Sequence, residues 1–289
     1  MAYTAEVSRQ QPSCFLFLID QSGSMADALS TGPQASDNPS ARVLTRTKAQ
    51  GVADAVNRLL QNLVIKCAKS EGVRDYYSVG VLGYGHNVGS AFNGTLAGRD
   101  MVPISEIANT PARIEERTRR TDDGTGGFLE QTIKFPIWFD PIANGGTPMC
   151  DALERAAVLL GGWLVHNQSC FPPVVINITD GESTDGDPSP AAQSLRELSS
   201  ADGNVLLFNI HVSNQQQAPI EFPDSDRALP DQFAQLLFRM SSLLPDYMRS
   251  IAQVDYPAIT SDTRGFVFNG DMVSVIKFLD IGTRPSNLR

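Results

Sequence analysis

"FLFLIDQSGSM", Phe15–Met25, is the stretch on which the reading of the whole chain turns. An unbroken apolar run is what a strand covered on both faces looks like, and such strands sit in the middle of parallel sheets. This one stops at Asp20 and is followed by Ser22 and Ser24 at alternate positions. That ending is either an ordinary polar turn or three oxygen ligands aimed at one point.

Outward from it, apolar runs alternate with helical patterns. The strand candidates are Cys14–Ile19, Tyr77–Tyr84, Pro173–Ile178, Asn204–Val212 and Gly265–Phe268, and the helix candidates are Leu44–Ser70, Pro148–His166, Pro190–Ser200, Pro230–Leu244 and Met272–Leu279. In the first helix Val52, Val56, Leu59, Leu60, Leu63 and Cys67 recur at spacings of three and four, which draws one apolar stripe to lay against a sheet. Strand and helix in repetition predict an α/β fold: a doubly wound, mostly parallel central sheet with helices on both faces. Three stretches fall outside this pattern. Ala26–Arg42, with two prolines and Gly32, reads as a loop at the rim beside Asp20; His86–Gly146 is too long for one connection and is expected to hold a hairpin with its turn at Phe92–Thr95, then a polar stretch, then a strand near Ile133–Phe139; Asn214–Leu229 is irregular. Within the second, "RIEERTRRTDDGTGG" mixes Arg113, Arg117, Arg119 and Arg120 with acidic residues, and reads as a solvated helix end and loop, not as a nucleic-acid site.

Composition narrows the function classes. The 289 residues, 42% of them hydrophobic, suffice for one large domain with a substantial core. A formal charge of −9 argues against broad affinity for nucleic acid or anionic membranes. Cys14, Cys67, Cys150 and Cys170 are scattered, with no C-x-x-C pair, and read as buried free thiols of a reducing compartment. The apolar run before Asp20 is far shorter than the ~20 residues of a membrane span and has no cleavage site behind it, so a cytoplasmic protein is expected.

The chemistry gathers where such folds bind ligands, beyond the carboxyl ends of the strands. Asp20, Ser22 and Ser24 follow one strand, Asp180 in "VVINITDGES" follows another, and Thr147 in "NGGTPMCDAL" stands before Pro148 at a helix start. Each has a plain structural explanation: an Asx turn, a helix N-cap, a strand-ending Asp-Gly turn. Jointly, two carboxylates and three hydroxyls at one end of the sheet suit a hard ion such as Mg²⁺, which takes oxygen ligands and keeps several waters. Glu182, Asp185 and Asp187 follow closely and are expected to form an acidic rim; "DGESTDGDP" does not match a Ca²⁺-binding loop. His86, His166 and His211 read as packed or surface residues.

At these positions the sequence resembles the von Willebrand factor type A (VWA) domain family and its metal-ion-dependent adhesion site. The pattern D-x-S-x-S, a distant threonine and a later aspartate is met by Asp20, Ser22 and Ser24, by Thr147 and by Asp180, with "GGTP" and "ITDGE" in the expected order. The resemblance implies one domain over residues 12–282, with insertions at about 26–42 and 86–146 and tails at 1–11 and 283–289. It implies a non-enzymatic module that holds Mg²⁺, or Mn²⁺ or Ca²⁺, and offers the ion to an Asp or Glu of a protein partner. Ser22, Ser24 and Thr147 would touch the ion, while Asp20 and Asp180 act through waters or hydroxyls. Relatives of this kind suggest a cytoplasmic stress or phage-defence setting, with a kinase, a phosphatase or an AAA-type ATPase as partner system.

One enzymatic alternative shares the opening motif. Haloacid-dehalogenase phosphatases place a nucleophilic Asp at the position of Asp20 and a second Asp, the general acid, at the position held here by Ser22. A serine hydroxyl is a poor proton donor in that role. No lysine stands shortly before Asp180 to complete the set, since Lys134 lies in the insertion.

Overall fold

The computed structural model describes residues 3–29, 46–122, 128–213 and 218–270, with side chains omitted at 119–129. Strand β1, Ser13–Asp20, is buried at all eight positions. It pairs in parallel with β2, Tyr77–Tyr84, on one side and with β7, Val174–Thr179, on the other. Beyond β7 lie β8, Leu206–His211, and β10, Phe266–Phe268, both parallel to it. Short antiparallel strands trim the edges: β3, Val88–Ser90, and β4, Val102–Pro103, on β2, and β9, Ile220–Glu221, on β10. The sheet order is β9-β10-β8-β7-β1-β2-β3. From β1 the chain first winds one way to β2 and later returns on the other side through β7. The switch point therefore lies between β1 and β7, where a crevice opens at the strand ends.

Alternation along β1 divides the core in two. Phe15, Phe17 and Ile19 join the cluster under α1, Lys48–Cys67, whose Val52, Val56, Leu59, Leu60 and Leu63 form the expected stripe. Cys14, Leu16 and Leu18 face the other way, into the cluster that holds Met149, Leu153 and Leu160 of α3, Met149–His166, and Leu195 of α4, Ser189–Glu197. Helix α5, Gln232–Met240, belongs to the second face, and α6, Asp246–Ala252, contributes Met248 and Ala252 to the first. The fold is α/β and doubly wound, with helices on both faces of a mostly parallel sheet. A polar seam crosses this core: Tyr84 donates to Asn177 at 2.7 Å, Asn177 to Asn209 at 2.9 Å, and Asn209 to Ser241 at 2.9 Å, so these buried groups are satisfied side by side.

The long insertion differs from its sequence reading. After α2, Ile104–Asn109, residues Arg113–Asp122 are not a helix end and loop but strand β5, paired in ten antiparallel rungs with β6, Phe128–Ile137. Arg113, Glu115 and Arg117 share one face of β5, and alternate signs at every second residue pair directly: Arg113 with Glu115 at 2.7 Å, Arg117 with Glu115 at 2.8 Å. Arg117 also reaches Asp54 of α1 at 2.7 Å and lies 3.9 Å from the ring centroid of Phe135. The hairpin is thereby fastened to α1. The expected helix Met272–Leu279, most of the loop 26–42 and the tail 283–289 lie outside the described residues. Residues 3–11, expected as a tail, include the fully buried Val7, and the Thr4 and Ala5 amides both donate to Asp202 at 2.9 Å.

Asn57 of α1 holds the segment that follows β6. Its side chain donates to the Phe139 carbonyl at 3.0 Å and accepts from the Trp138 amide at 2.9 Å, with all partners buried. Replacing it by Leu of similar volume leaves two backbone groups unpaired, each costing about 1–3 kcal/mol. Asn57→Leu is expected to lose about 2–4 kcal/mol in urea unfolding. A loss within error of zero would show that this clamp does not hold the segment in solution.

Candidate functional site

The three segments named from sequence meet at the switch point. Asp20 closes β1 opposite Tyr84, and Thr179 closes β7 opposite His211 of β8, so Asp180 leaves the sheet one strand away from Asp20. Gly23 N donates to Gly145 O at 3.0 Å, and Asn144 N donates to Gln21 O at 2.6 Å, which ties the serine loop to the threonine loop. Thr147 N donates to Thr184 Oγ1 at 2.9 Å and Thr184 N returns to Thr147 O at 2.9 Å, which ties the threonine loop to the segment after Asp180. Ser24 Oγ donates to Asp180 Oδ1 at 2.8 Å and closes the triangle. Glycine is required where the loops touch. A Cβ on Gly85 would lie 2.6 Å from Asn144 O, and Gly145, at φ +95°, would place one 2.5 Å from His86 N.

Asp20 is 1% exposed. Its Oδ1 accepts from the Ser22 amide at 2.8 Å and its Oδ2 from Thr179 Oγ1 at 2.6 Å. Burial raises the carboxyl above its usual range, and these bonds pull it only partly back. The hydroxyls carry their protons in one direction. An ionised Asp180 can only accept, so Ser24 gives it a proton; Ser22 Oγ, 3.0 Å from Ser24 Oγ, must then be the donor of that pair. The protons run along Ser22, Ser24 and Asp180, which leaves serine lone pairs for a cation. Thr147 is buried, and its hydroxyl is not spent on capping α3 as the sequence suggested: Pro148 is the N-cap residue and makes no side-chain cap bond.

Two acidic residues of the expected rim have other work. Asp185 accepts from the Cys150 and Asp151 amides, at 3.1 and 3.0 Å, and so caps α3 in place of Thr147. Its carboxyl is held below the usual range by these and the Ser183 bonds, against a burial effect of opposite sign that is the largest single influence. Asp187 accepts from the Ser189 amide at 2.9 Å at the start of α4. Glu182 stays exposed. His211 is buried, stacked on Phe268, with no partner for Nδ1 among the described residues, and burial lowers its basicity; His86 is exposed, as is His166. Cys14, Cys67 and Cys170 are buried free thiols, and Cys150 is partly exposed.

Sequence reasoning missed Lys48. Its Nζ lies 2.7 Å from Asp180 Oδ2 and 3.6 Å from Asp27 Oδ2, and the residue is 3% exposed. It stands first in α1, inside the Thr47–Gln50 capping box. A cation at a helix N-terminus opposes the macrodipole, and that conflict was a visible sign of a special role. Among the described residues no three His, Cys, Asp or Glu side chains gather to hold a metal. The oxygens gathered here, the Ser22 and Ser24 hydroxyls and the Asp180 carboxylate, are of the type a hard divalent ion takes, while the Lys48 ammonium already rests against that carboxylate. With Lys48 paired, the two aspartates and one ammonium leave a net charge of −1.

No protein-family model matches the chain, and no curated protein sequence does. Solved structures similar to it include the vWF domain of the type V pili tip protein Mfa5 from Porphyromonas gingivalis, at 13% identity over 60% of this chain and 39% of that one, with a TM-score of 0.30. A structure of three N-terminal domains of the same protein matches at 12% identity over 60% of this chain and 20% of that one, with a TM-score of 0.31. The chain thus spans well under half of either, and likeness of this degree carries no weight for the site.

Because both side chains of the Lys48–Asp180 pair are buried, removing one partner strands the other. Lys48→Met keeps most of the apolar stem and is expected to cost about 3–5 kcal/mol of stability in metal-depleted buffer. A cost near zero in urea unfolding would mean that water already separates the pair.

Proposed function

We propose that this chain is a non-enzymatic protein-binding module that holds one divalent cation through Ser22, Ser24 and Thr147, backed by Asp20 and Asp180, and presents it to a carboxylate of a partner. Mg²⁺ is the first choice, with Mn²⁺ and Ca²⁺ as alternatives. The observation that carries this reading is the ordered hydroxyl chain, in which Ser24 gives its proton to Asp180 and both serines keep lone pairs for an ion. The resemblance to VWA domains supports the same assignment. When bound, the cation supplies an electrophilic position for an anionic ligand.

The chain's own residues set how strong that position is. Asp20 fixes the serine loop through the Ser22 amide and is fixed in turn by Thr179. Asp180 orients Ser24 on one oxygen and meets Lys48 on the other. Few formal charges would touch the ion, and Lys48 offsets one of those nearby, so a bound ion retains its attraction for a partner's Asp or Glu. A carboxylate fixed on a protein surface suits this site better than a free anion, because neighbouring contacts can offset the ordering cost of association. Among the described residues no helix is long and apolar enough to cross a membrane. The cytoplasmic stress or phage-defence setting, and a kinase, phosphatase or AAA-type ATPase as partner system, belong to the same proposal and rest on the sequence resemblance alone.

The phosphatase reading gains one observation and loses another. Lys48 supplies against Asp180 the cation that no nearby lysine in the sequence provided. A nucleophilic aspartate, however, needs an accessible oxygen, and both oxygens of Asp20 are engaged in a residue 1% exposed. Ser22 still cannot serve as general acid. We expect no Mg²⁺-dependent hydrolysis of p-nitrophenyl phosphate; activity that Ser22→Asp enhances and Asp20→Asn removes would establish the enzyme instead.

The binding reading is tested by thermal unfolding across a Mg²⁺ or Mn²⁺ series. Wild type should gain stability by mass action, about 2.7 kcal/mol at a hundredfold excess over Kd. Asp20→Ala and Thr147→Ala should lose the gain. Lys48→Met, lower in stability without metal, should bind about tenfold more tightly, equivalent to ~1.4 kcal/mol, as the site charge falls to −2. Capture of a partner should fail in EDTA and with Thr147→Ala. An unfolding midpoint indifferent to both ions over a wide range would refute the metal site.

A further inference from the structure

The end of the sheet opposite the metal crevice carries a second concentration of charge. Beside the start of β8 lies a cavity of about 710 Å³ lined by Arg196, Arg249 and Arg264, with Tyr3, Tyr247 and Ser242 among its walls. Arg196 comes from the end of α4, Arg249 from α6, and Arg264 from the turn that leads into β10. A six-residue strand separates this cavity from the crevice, on the order of 20 Å. In a chain of net charge −9, three arginines lining one hollow are not a by-product of a basic surface.

Only one of the three is neutralised by a neighbour. Arg249 pairs with Asp246 at the mouth and donates to the Leu244 carbonyl at 2.8 Å. Arg196 and Arg264 form no ion pair among the described residues. Arg264 donates to the Ser241 carbonyl and lies 5.4 Å from the ring centroid of Phe238, while Arg196 makes one long bond, 3.4 Å, to Ala192 O. Both are half-buried, and burial works against their charge; for Arg196 the like charge of Arg264 adds to it, against a smaller opposing effect of Glu197, as Asp262 opposes it for Arg264. An arginine in a protein does not relieve such a cost by giving up its proton. An anion between the two would offset that cost.

We propose that this cavity is a binding site for a small oxyanion of the phosphate type, grasped by the Arg196 and Arg264 guanidiniums. Their planar forks match tetrahedral and carboxylate oxyanions, which accept two parallel N–H bonds from each. Tyr3 and Tyr247 wall the same space and give a larger phosphorylated molecule an aromatic surface to lie on. The site is independent of the metal crevice.

The test is calorimetric titration of the whole chain with inorganic phosphate, pyrophosphate and citrate, in metal-depleted buffer at constant ionic strength. Saturable binding of phosphate or pyrophosphate is expected in wild type. Arg196→Gln should raise Kd at least tenfold, and Arg264→Gln should do the same if it folds; Arg155→Gln, which removes a charge paired with Asp100 elsewhere, should leave Kd within twofold. Citrate binding as tight as pyrophosphate would overturn the phosphoryl assignment. No saturable binding of any probe, or equal affinity in wild type and Arg196→Gln, would overturn the site.

Discussion

Asp20 must be accommodated before anything else at the crevice can exist. It is a carboxylate at the end of a strand covered on both faces, almost without contact to solvent, and burial disfavours its charge. Two donors answer it, the Ser22 amide and the Thr179 hydroxyl. Those same two bonds decide the architecture around it. The first curls the chain after β1 so that Ser22 and Ser24 turn into the crevice. The second joins β1 to β7 across the switch point and sets where Asp180 leaves the sheet. A single buried charge thus positions two of the three loops, and the backbone bonds of Gly23, Asn144 and Thr184 bring in the third.

Strength of attraction at the crevice is then a matter of charge balance. Lys48 lies where a dication would otherwise face two aspartates, and it binds Oδ2 of Asp180 while Ser24 takes Oδ1. An ammonium there lowers the affinity of the crevice for a divalent ion but raises the attraction of a bound ion for an incoming carboxylate. Weak retention of a bound ion and strong use of it would both follow from this one residue. The helix that carries Lys48 accepts an unfavourable charge at its first position, and Asp27 shares in offsetting it.

Much of this was legible in the chain itself, and the misses have physical causes. Tyr77–Tyr84 is a strand with the limits its apolar run suggested, and β1 extends the expected Cys14–Ile19 by one residue at each end, because buried parallel strands advertise themselves through composition. That Asp20, Ser22, Ser24 and Asp180 lie at one end of the sheet followed from strand ends, and the place of Thr147 from the helix start at Pro148. Of the hairpin, β6 was foreshadowed by the strand expected near Ile133–Phe139, but β5 was not, because β5 is held by charges that alternate in sign and not by apolar residues that alternate with polar ones. Asp185 was hidden for a different reason: it caps a helix through the Cys150 amide, 35 residues earlier in the chain, a pairing no local pattern can show. Lys48 lies 132 residues from Asp180, and its only local trace is its place at the start of a helix that would prefer an anion.

The central claim is that the Ser22, Ser24 and Thr147 hydroxyls, with the buried carboxylates of Asp20 and Asp180 behind them, hold a divalent ion between β1 and β7. Crystals of the full chain equilibrated with millimolar Mn²⁺ and measured at a wavelength where manganese scatters anomalously test it most directly. The account predicts one strong anomalous peak within coordination distance of the Ser22, Ser24 and Thr147 hydroxyls, absent from crystals of Asp20→Ala. A map from wild-type crystals with no peak at that point, while Lys48 and Asp180 remain paired, would contradict it.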